Sequence, residues 1–220
     1  MNQGIHGFPQ GISPNFQGVH SLAYVEKMNS ESVGNSANVF YPPWGSINLG
    51  SGTTVTANRL ALLPFYISKP VIVTAICCRS YNNSVGSNVI FGLYKTDPSY
   101  NLPSDLLFQS ASIAVGSGSS FANNTVDTTN ALQVDAGWYY AASVFSAAAV
   151  MDRATSTFAT VSTSPVAAYQ SPGLYIAHTF NTLPLTLTGR KLTMADSVTA
   201  IPFIALQMRS FKTNYEVLRT

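Results

Sequence analysis

The feature that most constrains this chain is its periodicity. From about residue 53 onward, apolar residues recur in short runs bounded by Gly, Pro, Asn or Ser. Many of these runs alternate in character with a period of two, as "GWYYAASVF" does at 137–145. Strand side chains point alternately to opposite faces, so this period belongs to β-structure, whereas a helix repeats every 3.6 residues. In 137–145 it places Trp138, Tyr140, Ala142 and Val144 on one face and Tyr139, Ala141, Ser143 and Phe145 on the other. "SNVIFGLYKT" likewise sets Val89, Phe91 and Leu93 against Ile90 and Tyr94. "LALLPFYISKPVIVTAICCRS" reads as two β-rich runs broken at Ser68, Lys69 and Pro70. "DLLFQSASIAV", "PGLYIAHTF", "LPLTLTGRKL" and "AIPFIALQMRSF" read as further strands.

No window carries a long amphipathic helical period, and the Ala-rich "FSAAAVMDRATSTFATV" is the one credible helical turn. The expected fold is therefore all-β: an antiparallel, jelly-roll-like β-sandwich of roughly eight to ten strands over residues 46–220. The long "GSGSSFANNTVDTTN" reads as a Greek-key connection. Residues 1–45 break the pattern, with Gly and Pro spread through "GFPQGISPNFQG" and "VFYPPWGS". Pro removes a backbone donor and Gly loosens the chain, so neither a helix nor a central strand suits them. Yet the segment holds Phe8, Phe16, Tyr24, Phe40, Tyr41 and Trp44, and disordered segments are poor in aromatics. It is expected to be an extended arm that orders against its own domain or a neighbouring subunit, with Phe8, Phe16, Tyr24 and Trp44 as its attachment residues.

Composition narrows the function classes. Charged residues make up 9% of the chain and apolar residues 46%, where soluble domains carry about 25% charge. A surface this poor in charge suits packed subunits. Lys and Arg total 11 against 9 acidic residues, scattered from Lys27 to Arg219. Without a clustered basic patch there is no electrostatic footprint for nucleic acid. The N-terminal residues do not form a secretory signal, and no apolar run approaches the roughly 20 residues of a membrane span. Membrane insertion is not expected.

Enzymatic signatures are missing from the sequence. His6, His20 and His178 have no His or carboxylate at metal-ligand spacing, although His6 and His20 would form rings around the axis of a trimer. Cys77 and Cys78 are adjacent, so in a strand they point apart and read as two buried thiols. Asp97 precedes Pro98, Asp105 follows Pro103-Ser104 and Asp135 precedes Ala136-Gly137, positions where aspartate shapes turns by bonding its own backbone. No nucleophile elbow, phosphate loop or HExxH pattern occurs. The expectation is a protein that is not an enzyme and needs no metal or other cofactor. Contact chemistry is more visible: Tyr81-Asn82, Tyr100-Asn101 and Tyr169-Gln170 each pair a flat ring with an amide at a loop edge, suited to holding sugar or protein. For each, the competing reading is a solvated turn with an incidental tyrosine.

Several stretches also carry a resemblance. "LPFYISKPVIVTAICCRS", "VIFGLYKTDPSYNLPSDLLFQSASI", "ALQVDAGWYYAASVF" and "AIPFIALQM" resemble the strand and turn pattern of a jelly-roll domain of tailed-bacteriophage appendage proteins. The resemblance implies a structural role in the virion: a homotrimer, assembled in the host cytoplasm, that projects from the particle as a tail fibre or receptor-binding tail-tip subunit. It would bind other virion proteins through its N-terminal arm and attach to a host surface glycan or protein. Related domains serve as capsid cement, decoration or head-fibre proteins, and the chain has no coiled-coil or β-helical shaft for long reach. A third expectation, from a different class, is a carbohydrate-binding module.

Overall fold

The computed structural model describes residues 40–41, 52–67, 70–78, 80, 86–116, 125–152, 173–194 and 201–210. They contain thirteen strands and no helix. In chain order these are β1 (Phe40–Tyr41), β2 (Gly52–Val55), β3 (Arg59–Ile67), β4 (Val71–Cys78), β5 (Asn88–Thr96), β6 (Pro103–Gln109) and β7 (Ile113–Ala114). There follow β8 (Thr125–Val134), β9 (Gly137–Phe145), β10 (Ala149–Asp152), β11 (Leu174–Ala177), β12 (Thr193–Met194) and β13 (Ile204–Ser210). A seven-stranded sheet runs β12-β11-β3-β9-β5-β6, with β7 also on β5, and a four-stranded sheet runs β1-β13-β4-β8. β2 and β10 form a separate pair, and every strand pairing is antiparallel.

The two sheets share one core. Leu63, Phe65, Ile67, Phe91, Leu93, Ala141 and Phe145 of the larger sheet bury with Val71, Val73, Ile76, Cys78, Val134, Ile204 and Leu206 of the smaller. The alternation expected for β5 and β9 is the one observed: Val89, Phe91 and Leu93 face this core, while Ile90 and Tyr94 face outward with Tyr140, Ala142 and Val144. The described residues thus form an all-β sandwich. Consecutive strands cross between sheets in matched pairs, since β3 pairs with β9 in one sheet and β4 pairs with β8 in the other.

β4 changes face partway along. Val71 and Val73 point into the core, but so do Ile76 and Cys78, which have the opposite parity. The switch lies at Thr74: Val73 pairs with Met208 and Ala75 with Gln207, so Thr74 is an extra residue in the ladder, its hydroxyl donating to the Gln207 carbonyl at 3.3 Å. An inserted residue of this kind reverses the facing of everything after it. Cys78 consequently enters the main core while Cys77 joins Phe203 and Ala205 on the other face, and neither is in a disulfide.

Several sequence expectations need correction. Within the Ala-rich stretch expected to hold a helical turn, residues 149–152 form β10 instead, where Ala149 and Met151 bury in the core and pairing with β2 overrides alanine's helical preference; 153–161 lies outside the described residues. "TVDTTN", expected within a crossing connection, belongs to β8. Residues 183–192 are not a regular strand: an isolated bridge joins Thr186 to Asp105, and the chain turns through Gly189 at φ 74°. Asp105 itself lies in β6 rather than in a turn, and Pro103 opens that strand, a position proline tolerates. Within the expected arm, Phe40 and Tyr41 pair with Gln207 and Leu206, so this part orders against its own sheet.

Candidate functional site: the loop and strap corner

The larger sheet has a second apolar face. Leu60, Leu62, Ile90, Tyr94, Tyr140, Ala142 and Val144 point away from the sandwich core, yet they are buried with Leu183 and Leu187. The cover is the segment 178–192, which crosses this face as a strap. It begins at Asn58, which adopts φ 55°; its carbonyl accepts from the His178 N–H at 2.9 Å and its side-chain oxygen accepts from the Phe180 N–H at 2.8 Å. The His178 ring closes the entry by bonding Thr182 O through Nε2 at 3.0 Å. Leu183 then sits over Gly92 and its neighbour Ala142, two small residues paired across β5 and β9. A side chain at Gly92 would overlap Leu183 Cδ1. Beyond Leu183 the strap runs along the edge of β6: Leu106 N–H donates to Leu185 O at 2.9 Å and Leu187 N–H to Ser104 O at 2.8 Å. This pairing satisfies part of an edge that would otherwise present open backbone groups.

Beside the strap lies the β5–β6 loop, residues 97–102, and its backbone is fixed by its own residues. Asp97 N–H donates to Leu102 O and Asn101 N–H to Asp97 O, both at 2.8 Å. The Asp97 carboxylate accepts from the Ser99 N–H at 2.7 Å, the Asx-turn role expected of it. Asn101 takes the left-handed conformation, φ 55°, which asparagine tolerates better than most residues.

Two tyrosines tie loop and strap to the sheet. Tyr94 and Tyr140 are cross-strand partners on the outer face. The Tyr94 hydroxyl donates to Pro184 O at 2.9 Å, and the Tyr140 hydroxyl donates to Asn101 O at 2.8 Å. Burial holds the Tyr94 hydroxyl well above the ordinary tyrosine range, opposed by the charge of Arg190, and pushes that of Tyr140 up to about 12. Both remain protonated donors at neutral pH. The result is a fixed corner with apolar side chains turned outward: Tyr100 is 75% exposed, Leu102 44% and Leu185 81%. These three are the exposed large hydrophobic side chains among the described residues.

Of the contact residues expected from sequence, Tyr100 and Asn101 lie in this corner, Tyr100 as its exposed tip. Tyr81, Asn82 and Tyr169 lie outside the described residues, as do Phe8, Phe16, Tyr24 and Trp44 of the arm and His6 and His20. Leu102 and Leu185 were missed, because an exposed leucine has no sequence signature distinct from a buried one. Among the described residues no group of three or more His, Cys, Asp or Glu could hold a metal ion. No described helix is long and apolar enough to cross a membrane. No protein-family model matches the chain, and no curated protein matches it significantly.

Proposed function

We propose that this chain is a structural subunit of a bacteriophage particle, a homotrimeric tail fibre or tail-tip protein that attaches to the host surface and performs no catalysis. The observation that carries this reading is the corner itself: backbone held by internal hydrogen bonds, with Tyr100, Leu102 and Leu185 presented to solvent. A fold gains nothing from holding such side chains in water, whereas a recognition surface gains affinity from presenting them without ordering cost. The paired crossing of β3–β4 and β8–β9 between sheets supports a jelly-roll wrap. A charged fraction of 9% supports subunit packing.

Removal of residues 1–38 tests the anchoring role of the arm while retaining Phe40 and Tyr41 on β13. The truncated chain is expected to fold and to be lost from particles; normal incorporation would refute anchoring through the arm. Copy number, measured by quantitative mass spectrometry of the same particles, separates a tail from a head location, since hundreds of copies belong to capsid decoration. Light scattering that finds a stable monomer at micromolar concentration would remove the trimer.

A further inference from the structure

We infer that the loop and strap corner docks a protein rather than a sugar, through apolar anchors at Tyr100, Leu102 and Leu185. Sugars are held by flat rings together with converging polar groups. Here two of the three exposed anchors are aliphatic. The Asp97 carboxylate of the loop accepts from the Ser99 N–H. Leucine offers no ring for a sugar to stack on but fills an apolar pocket of a protein. The anchors are also well placed for such a contact. Adjacent tyrosines fix the loop at Asn101 and the strap at Pro184, so neither needs ordering on binding.

Area and charge specify the partner further. Three side chains offer a few hundred Å2 at most, short of the about 800 Å2 per partner of a stable interface. That is too little for a permanent contact with a second copy of this chain, and it fits a transient partner. Further along the strap from Leu185, Arg190 and Lys191 are exposed, and the exposed Asp105 is bridged to Thr186 beside Leu185. Arg190 lies near enough to act on the Tyr94 hydroxyl. The complementary surface is an apolar pocket with an acidic rim. The inference stands independently of a virion location.

A photo-crosslinking amino acid at position 185, in the full chain, tests it in the cells that produce the protein and on the cells that the particle adsorbs to. The same probe at the exposed Ala148, beyond the far end of β9, is the control. The expected result is a covalent adduct with one other protein, formed from 185 and not from 148. Excess unlabelled chain should suppress it, and excess Leu185→Ser chain should not. Leu185→Ser and Tyr100→Ser should each weaken the contact roughly tenfold or more, as loss of an anchor does, while leaving the melting temperature unchanged. Three results would overturn the inference: an adduct of this chain with itself, binding abolished by periodate but not by trypsin treatment of the cells, or adducts equal at 185 and 148. Immunoblotting of purified particles keeps the two readings apart, because a chain absent from particles that still crosslinks at 185 removes only the virion location.

Discussion

Gly92→Ala is the perturbation that bears most directly on the strap. Gly92 lies mid-strand in β5, paired with Ala142 on one side and Gln109 on the other. A Cβ there would overlap Leu183 Cδ1, and it would stand 3.2 Å from the Phe108 carbonyl oxygen and 3.4 Å from Leu106 Cδ1. The backbone oxygen cannot withdraw, so Leu183 must move, and Leu183 is 3% exposed and held by a bond from its N–H to the Gln109 side chain. Overpacking of this kind costs about 1–3 kcal/mol. Set against it, replacing a mid-strand glycine returns about 0.5–1 kcal/mol of chain entropy, so the net loss runs from about zero to about 2.5 kcal/mol. At about 2–4 °C per kcal/mol for a chain of this length, the melting temperature should fall by up to roughly 10 °C. Leu183→Ala alone should cost about 2–5 kcal/mol by emptying its site. The double variant should recover part of the sum, because the new methyl then occupies space that Leu183 vacated; a coupling of about 0.5–3 kcal/mol is the range for residues in contact. Denaturant melts of the four proteins measure it. Strict additivity would show that the strap does not lie on β5.

Alkaline stability depends on the tyrosine pair. Burial raises Tyr140 to about 12, above the ordinary value of about 10. Its contribution is therefore fully present below about pH 10 and is lost as pH rises through about 12, with a total of about 2–3 kcal/mol; Tyr140→Phe should flatten that decline in denaturant melts taken from pH 9 to 12. Cys77 and Cys78 are both fully buried, and burial, the neighbouring thiol and Asp152 push Cys78 well above its ordinary range. A thiol reagent should therefore modify neither in the native protein and both in denaturant, and rapid native labelling of Cys78 would contradict its place in the core. The Ser143 hydroxyl is buried between the sheets without a hydrogen-bond partner, so Ser143→Ala should be neutral or stabilising by about 1 kcal/mol. A loss above 1 kcal/mol in calorimetry would mean that the hydroxyl has a partner.

The parts of this fold that were legible in sequence are those where a strand runs straight between two buried faces. In β5 and β9 each residue type reports its side, and the two faces of "GWYYAASVF" separate as the sequence divides them. Legibility failed where the ladder slips. Nothing in "VIVTAICC" marks Thr74 as the residue that turns Cys78 inward, because a bulge is set by register with Gln207 and Met208 on a distant strand. Ala149 prefers a helix locally, and pairing with Val55 of β2 makes it a strand residue. At the corner, Asp97 could be read as a turn residue from its proline neighbour, but the same reasoning misplaced Asp105. Its bridge partner is Thr186, 81 positions further on. The strap escaped notice because "LPLTLTGRKL" alternates like a strand while its hydrogen bonds go to one edge, to two side chains and to itself. Tyr100 was visible as a loop aromatic; the leucines that complete its surface became visible only through exposure.

The most direct measurement is an electron-microscopy reconstruction of the particle at a resolution that places the sandwich. The expected map has this chain on the exterior of the tail, in threefold copies, with the arm turned toward the particle and the corner of Tyr100, Leu102 and Leu185 turned away from it. A particle that lacks the chain, or one in which that corner is buried against the particle body, would contradict an attachment role.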